Sequence, residues 1–327
     1  MASQNARAKS ILFLSADLVG STSYKQEKDG WQLIFLGFYR EFPQMLGNVY
    51  REHQKLHEGK LEFTLWKAIG DELIFEVPVT SEADISDAVR VWLKAMEDYE
   101  SDSLRESKLA LKGGAFIATF PGPDSESSIP RAPDVEVSDN PVVILNDEAL
   151  KGKKSHTRFL YDYFGPSVDT GFRIAGHASR RYFTMTVEVI WAIAKIAHSS
   201  ESSTELDTRH HVRDVVFRGR EFLKGVWRGQ EYPIFAIDRE CETTLNKAFA
   251  TLNGKEISSK DIAHVCEACS ETDGWPSKVY LPNAQTEIFR TPPQDAMKKL
   301  RETATDVTPK TQPSEDGEAL EEDAPLG

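Results

Sequence analysis

Two carboxylates carry the first chemical suggestion in this chain. Asp17 closes the apolar run Ile11-Leu12-Phe13-Leu14. Asp71 stands at the tip of Phe63-Thr64-Leu65-Trp66-Lys67-Ala68-Ile69-Gly70-Asp71-Glu72-Leu73-Ile74-Phe75, which reads as two short strands joined by a tight turn. Carboxylates at the ends of adjacent strands suit a hard divalent cation such as Mg²⁺ or Mn²⁺, which takes oxygen ligands and keeps positions open for substrate phosphates. After Asp17, Gly20-Ser21-Thr22 offers small residues and free backbone N–H groups at the start of a helix, a setting that holds phosphate. Together these features make a coherent triphosphate–metal site. The plain alternative is a pair of unrelated surface acids.

The elements that position these residues follow from periodicity. Ile11 to Leu14 reads as a strand buried on both faces, broken by Asp17-Leu18-Val19-Gly20-Ser21-Thr22-Ser23. Trp31, Ile34, Phe35, Phe38, Phe42, Leu46 and Val49 recur at helical spacing and predict an amphipathic helix to about Tyr50, kinked at Pro43. The hairpin follows. Ser81-Glu82-Ala83-Asp84 is a capping signal for a helix that buries Ile85, Val89, Trp92 and Met96. Leu109 to Phe120 returns to strand, and after a proline-studded loop Val142 to Leu145 reads as another. The order β-α-β-β-α-β predicts an α+β fold of the ferredoxin-like or palm kind. Further on, Phe172 to about Ala197 reads as one helix, and Val215 to Ile237 as two strands around Leu223-Lys224-Gly225. Residues 240–300 have mixed pattern, and the Pro-, Thr- and acid-rich segment after Thr303 predicts disorder.

Bulk properties narrow the partners. The chain has 327 residues, 40% hydrophobic, with a net charge of −13, about half of it in Arg301 to Gly327. An acidic chain has no global attraction for nucleic acid. No stretch reaches the roughly 18–20 apolar residues of a membrane span. Cys241, Cys266 and Cys269 form no disulfide framework, so the expected setting is soluble and cytoplasmic.

At the level of motifs the chain resembles the class III nucleotidyl cyclases. Phe13-Leu14-Ser15-Ala16-Asp17-Leu18-Val19-Gly20-Ser21-Thr22 is similar to their first metal motif, and Lys67-Ala68-Ile69-Gly70-Asp71 to their second. In Tyr161 to Arg173 the resemblance places a base-contacting acid at Asp162. Seven residues on, Asp169 stands where the family carries Asn, and four further comes Arg173. Leu223-Lys224-Gly225 fits a triphosphate contact. The resemblance implies a cyclase domain over 9–239, leaving a small accessory region at 240–300 and a disordered acidic tail at 301–327. It also implies two Mn²⁺ or Mg²⁺ ions per site, held by Asp17, the backbone of Leu18, and Asp71. The base is contacted by Lys67, Asp162 and Tyr50, and the triphosphate by Gly20, Ser21, Thr22 and Lys224. Arg173 and Asp169 serve the transition state, and a homodimer places its active sites at the interface. An Asp169–Arg173 spacing of four puts both side chains on one helix face. An ionised Asp169 cannot donate the hydrogen bond that asparagine donates.

Lys67 and Asp162 form a donor–acceptor pair that adenine, cytosine and uracil can each satisfy, so hydrogen bonding sets aside little beyond guanine. Bulky aromatics near the motifs (Tyr50, Trp66, Tyr161 and Tyr163) could narrow the pocket to a single ring, the alternative for each being a place in the core. A lone cyclase domain with Gly70-Asp71-Glu72, with Asp169, and with a long helix after Gly171-Phe172-Arg173 resembles the pyrimidine cyclases of bacterial Pycsar anti-phage systems. That resemblance implies conversion of UTP to cyclic UMP with Mn²⁺, read by a separate cyclic-nucleotide-gated effector. Cyclic CMP from CTP, cyclic AMP, and a nucleotide-sensing module without chemistry stay open.

Overall fold

Strand β1 (Lys9–Val19) is the centre of the architecture, because its two rows of side chains face two different environments. The computed structural model describes residues 8–55, 60–136, 138–151, 156–199, 214–253 and 257–307. Leu12, Leu14, Ala16 and Leu18 project to one side of β1 and belong to the main core. Ile11 and Phe13 project to the other side, into a smaller, mostly aromatic cluster. By the two-residue period of a strand, Ser15 and Asp17 continue that second row.

On either side of β1 lie β3 (Glu72–Val79) and β5 (Gly114–Phe120), both antiparallel to it. With β2 (Thr64–Ile69), β8 (Tyr182–Met185), β9 (Val215–Phe222) and β10 (Glu231–Asp238) they form one sheet ordered β2-β3-β1-β5-β8-β10-β9. The short β4 (Ala110–Lys112) pairs with the end of β1. Among these pairings β5–β8 is parallel and the others are antiparallel. The order β2-β3-β1-β5 is that of the expected β-α-β-β-α-β unit, so the fold is α+β. The main-core face of the sheet is covered by α2 (Gln32–Gln54), α3 (Glu82–Asp102) and α6 (Val187–Ser199). α3 starts at the predicted capping box, where Ser81 accepts from the Asp84 N–H and Asp84 accepts from the Ser81 N–H.

Three expectations about elements are corrected. β1 is not broken at Asp17 but runs to Val19 and stops at Gly20, whose φ of 84° is in the left-handed region; α1 (Ser21–Glu27) follows. The single helix expected from Phe172 to Ala197 is two, α5 (Pro166–Ala175) and α6, separated by β8. Tyr182-Phe183-Thr184-Met185 is a run of strand formers that the sheet recruits between β5 and β10, a pairing that helical periodicity cannot register. Val142 to Leu145 is not a strand but the first turn of α4 (Val142–Lys151), because the good helix formers that follow carry it into a helix.

The chain divides into a larger unit, Met1–Ser127 with Tyr161–Ala296, and a smaller one, Ser128–Leu160 with Met297–Gly327. β6 (Ser125–Pro130) and β7 (Phe159–Phe164) make a separate two-stranded sheet. In the smaller unit α4 is tied to α9 (Lys298–Val307) by the Arg301–Asp147 ion pair at 2.7 Å. The tail expected to be disordered from residue 301 therefore begins inside α9, and its remainder lies outside the described residues. In the larger unit α7 (Thr244–Asn253) is followed by α8 (Ser259–Glu271), which buries Ile262 and Cys266 in the main core, and Tyr280 N–H is hydrogen-bonded to the hydroxyls of Ser10 and Thr119. No helix of the described residues is long and apolar enough to cross a membrane.

Candidate active site

Asp17 and Asp71 are brought to one corner by the sheet. Leu18 N–H donates to the Asp71 carbonyl at 3.3 Å, which fastens the end of β1 to the hairpin turn. From α2, the Tyr39 hydroxyl donates to the Gly70 carbonyl, and Gly70 holds a φ of 63° as the turn requires. Two further charged side chains stand here that the motifs did not single out. Glu72 is directly across from Asp17 in the β1–β3 register, and Lys112 is across from it in the β1–β4 register. Lys112 Nζ lies 3.0 Å from Asp17 Oδ2.

The electrostatics are those of crowded acids. Burial pushes the Asp17 carboxyl up, Lys112 pulls it back, and Asp71 adds to the rise. Glu72 is pushed up by burial first and then by Asp17 and Asp71, against Ser15 and Lys112. Carboxylates that repel one another favour the approach of a hard cation, which would relieve the repulsion. Among the described residues no group of three or more His, Cys, Asp or Glu side chains is arranged to hold a metal ion. The fit therefore rests on the Asp17–Asp71 pair and on backbone oxygen, and a cation arriving at Asp17 meets the Lys112 ammonium as a competitor. Glu72 was visible as the residue after Asp71, but its partnership with Asp17 needs the strand register. Lys112 lies in the Leu109–Phe120 run expected to be strand, but its meeting with Asp17 needs the β1–β4 register.

Lys67 and Asp162 meet as an ion pair, with Nζ 2.8 Å from each carboxylate oxygen. What aims Lys67 is a β-bulge. Leu65 is opposite Phe75, yet Lys67 is opposite Ile74, so Trp66 is an extra residue in β2. Without the bulge Lys67 would face Leu73 and the main core; with it, Lys67 shares the face of Ile74 and Phe13. Trp66 lies on that face as well, 4.6 Å from the Phe13 ring and 5.3 Å from Tyr163, with the Lys67 ammonium 4.4 Å from its ring centre. Asp162 also accepts from the Tyr163 N–H at 2.8 Å, which fixes its carboxylate.

The third group forms around α5. Gly171 packs this helix on the sheet: a Cβ there would come within 2.1 Å of the Phe116 ring, so no larger residue fits. The opposite side of the helix is exposed and carries Asp169 and Arg173. Both line a cavity of about 410 Å³ together with Phe172, His177 and, from the end of β9 and the turn after it, Phe222, Leu223 and Lys224. Arg173, Asp169 and Lys224 are thus joined in one concavity, and His177 is an addition from outside the motifs.

The remaining predicted residues are placed differently. Tyr50 stacks edge-on against Phe63 at 5.4 Å, and its hydroxyl accepts from Gln54 Nε2 and from Leu61 N–H. That hydroxyl therefore secures the segment leading into β2, and no described hydrogen bond joins it to Lys67 or Asp162. Gly20 precedes α1, which has no side-chain cap; Ser21 is buried and Thr22 exposed. The described hydrogen bonds and ion pairs run within the three groups, not between them.

No protein-family model matches the chain, and no curated protein matches it in sequence. Solved structures of similar shape include the adenylyl cyclase CyaB from P. aeruginosa (11% identity, 71% of this chain and 94% of that one, TM-score 0.45). The guanylyl cyclase Cya2 matches at 16% identity over 71% of this chain and 92% of its own, TM-score 0.43. The guanylate cyclase domain of RhGC from Catenaria anguillulae, in complex with GTP, matches at 10% identity over 72% and 100%, TM-score 0.43. Likeness at this level leaves the reaction of this chain to be argued from its own residues.

Proposed function

We propose that this chain is a metal-dependent nucleotidyl cyclase, active as a homodimer, that converts UTP to 3′,5′-cyclic UMP and pyrophosphate. The observation that carries the reading is the corner where β1 and the hairpin turn, locked by the Leu18–Asp71 hydrogen bond, bring two carboxylates together. Asp17, Asp71 and the Leu18 carbonyl would hold two Mn²⁺ or Mg²⁺ ions. Those ions would supply acidification of the ribose 3′-hydroxyl and charge neutralisation on the triphosphate. The 3′-oxygen attacks the α-phosphorus, the bond to the bridging oxygen breaks, and pyrophosphate leaves with that electron pair while the hydroxyl proton passes to solvent. Arg173 offers its guanidinium to the charge that builds on the α-phosphate, and Lys224 and the Gly20–Thr22 backbone take the remaining phosphate oxygens. In the dimer the metal corner of one protomer faces the α5 cavity of its partner.

For the base, Lys67 donates to a uracil carbonyl and Asp162 accepts from N3–H. The aromatic wall of Trp66, Phe13 and Tyr163 beside this pair supports a single-ring base over a purine. CTP is the second pyrimidine reading. A role for the product in anti-phage signalling through a separate effector rests on motif resemblance alone. A catalytically silent nucleotide sensor is favoured by one observation: Asp169 presents a carboxylate to the cavity, where a neutral donor would serve an anionic transition state better.

The test is to incubate the purified chain with each of the four nucleoside triphosphates and Mn²⁺, then Mg²⁺, and to identify cyclic products. Cyclic UMP is expected. Cyclic CMP alone would move the reading to the other pyrimidine, cyclic AMP alone would refute the single-ring argument, and nucleotide-induced stabilisation without any cyclic product would favour the sensor.

A further inference from the structure

Helix α5, which carries Asp169 and Arg173, has no capping side chain of its own. Its N-cap is Gly165, and Pro166 follows. Its first-turn amides are taken instead by an acid 43 residues upstream, from the loop between β5 and β6. Asp124 Oδ1 accepts from Ser167 N–H at 2.9 Å and from Val168 N–H at 3.3 Å. Asp124 is fully buried, and Ser167 is 1% exposed. The approach is close enough to exclude any side chain at the N-cap: a Cβ on Gly165 would lie 2.5 Å from Asp124 Oδ1 and 2.7 Å from its Cα.

This arrangement is more demanding than a helix cap needs to be. A serine or asparagine at the N-cap would satisfy the same amides locally. The remote acid instead holds both amides on one oxygen, Oδ1, and its whole carboxylate is buried to do so. Burial pushes its carboxyl up to about 6, against the hydrogen bonds from Ser167 and Val168, and Asp169 adds to the rise. What a remote, rigid cap supplies is an index. Successive residues of a helix are turned by about 100°, so α5 beginning one residue early or late would swing Arg173 out of the concavity it shares with Lys224.

We propose that Asp124 is a positioning residue for the cyclisation proposed above: by fixing the first turn of α5 it sets the direction in which Arg173 and Asp169 leave the helix. The inference rests on that reading of the site. A matched control exists in Glu82, 1% exposed, whose carboxylate accepts from the Gln285 and Thr286 amides at 2.9 and 2.8 Å. Glu82 is a buried acid holding two backbone amides, with no part in the site.

The experiment compares the wild-type chain with Asp124→Ala, Asp124→Asn and Glu82→Ala, measuring kcat and KM at a temperature where all are folded, with hydrogen exchange of α5. Asp124→Ala is expected to lower kcat by about 10- to 100-fold with KM within about threefold, and to speed exchange at Ser167 and Val168. Asp124→Asn, which keeps an acceptor oxygen, should recover kcat to within about fivefold of wild type. Glu82→Ala should lose stability yet keep kcat within about twofold. Equal kcat in Asp124→Ala and Glu82→Ala, or a loss confined to KM, would overturn the inference. If the wild-type chain forms no cyclic nucleotide, the cyclase reading fails. The indexing of α5 is then decided by exchange alone: unchanged rates in Asp124→Ala refute it, and an increase confined to α5 supports it.

Discussion

The two faces of the central sheet share the same strands and have opposite characters. On the helix-covered face Leu12, Leu14, Ala16 and Leu18 of β1 meet Phe38, Phe42, Trp92 and Met96 in a continuous apolar core. On the other face Phe13, Phe116 and Phe120 form a compact aromatic patch, and beyond it the β1 row passes through Ser15 to Asp17, opposite Glu72. One face buys stability with apolar area; the other gives some of it up to hold charges in a partly buried corner. The difference teaches that the alternation of a single strand, read to its end, separates residues that hold the fold from residues that could act.

Two substitutions test this division most severely. Asp71→Ala should abolish cyclic product, a loss of at least about 10³-fold or 4 kcal/mol, while the thermal midpoint and the oligomeric state stay near wild type. Trp92→Ala should do the reverse. Trp92 is fully buried, and its Nε1 donates to the Ser15 carbonyl at 3.1 Å, so truncation should cost about 3–5 kcal/mol in a denaturation experiment. An Asp71→Ala chain that melts as early as Trp92→Ala would erase the distinction between the faces.

How much of this was legible in sequence depends on whether a feature is local. The Gly-Asp turn, the Ser81–Asp84 box and the α2 apolar stripe are written in consecutive or helically spaced residues, and they stand where expected. The Trp66 bulge is not legible, because whether a strand carries an extra residue is decided by its partner's register. Lys112 and Glu72 meet Asp17 only through cross-strand pairing. Asp124 reaches α5 from another element altogether. Tyr50 is the reverse case: a residue of suitable type whose ring and hydroxyl are engaged in seating the chain before β2.

A smaller effect should come from the aromatic patch. Trp66 is fixed by Phe13 and Tyr163 and stands beneath the Lys67 ammonium. Trp66→Ala should open space for a second ring and shift the ratio of kcat/KM for UTP over ATP by about 10- to 100-fold toward ATP. An unchanged ratio would remove the patch from base selection and leave it as packing alone.

Smaller again is a dependence of stability on pH that arises away from the metal corner. Burial holds both Asp124 and Glu188 up to about 6, the latter bonded to Trp275 Nε1 at 2.7 Å. Both carboxyls bind protons more tightly folded than unfolded. The stability this gives is complete below about pH 4 and is lost as the pH rises through about 6. Between about pH 8 and pH 5.5 the two together should add about 1.5 kcal/mol to unfolding free energy. Asp17 and Glu72, also raised, act in the same direction. Denaturant titrations at the two pH values measure it, and the Asp124→Asn, Glu188→Gln double variant should flatten most of the difference. A chain less stable at the lower pH would contradict the buried, raised character of these acids.

The smallest expected effect concerns Lys112, which marks where the two characters of the sheet meet. Its side chain is 38% exposed, and its ion pair with Asp17 is worth no more than about 1 kcal/mol. Lys112→Met removes a cation that competes with metal at Asp17, so at about pH 8 the Mn²⁺ concentration for half-maximal activity should fall by up to about fivefold. The same ammonium holds the Asp17 carboxyl down against burial and Asp71. Without it Asp17 keeps its proton to higher pH, and since metal must displace that proton, the gain should shrink as the solution is acidified. A metal titration at two pH values separates the two contributions. Tighter metal binding by the same factor at both would mean that Lys112 acts only as a competing charge; weaker binding at both would mean that it orients Asp17 for the metal instead of opposing it.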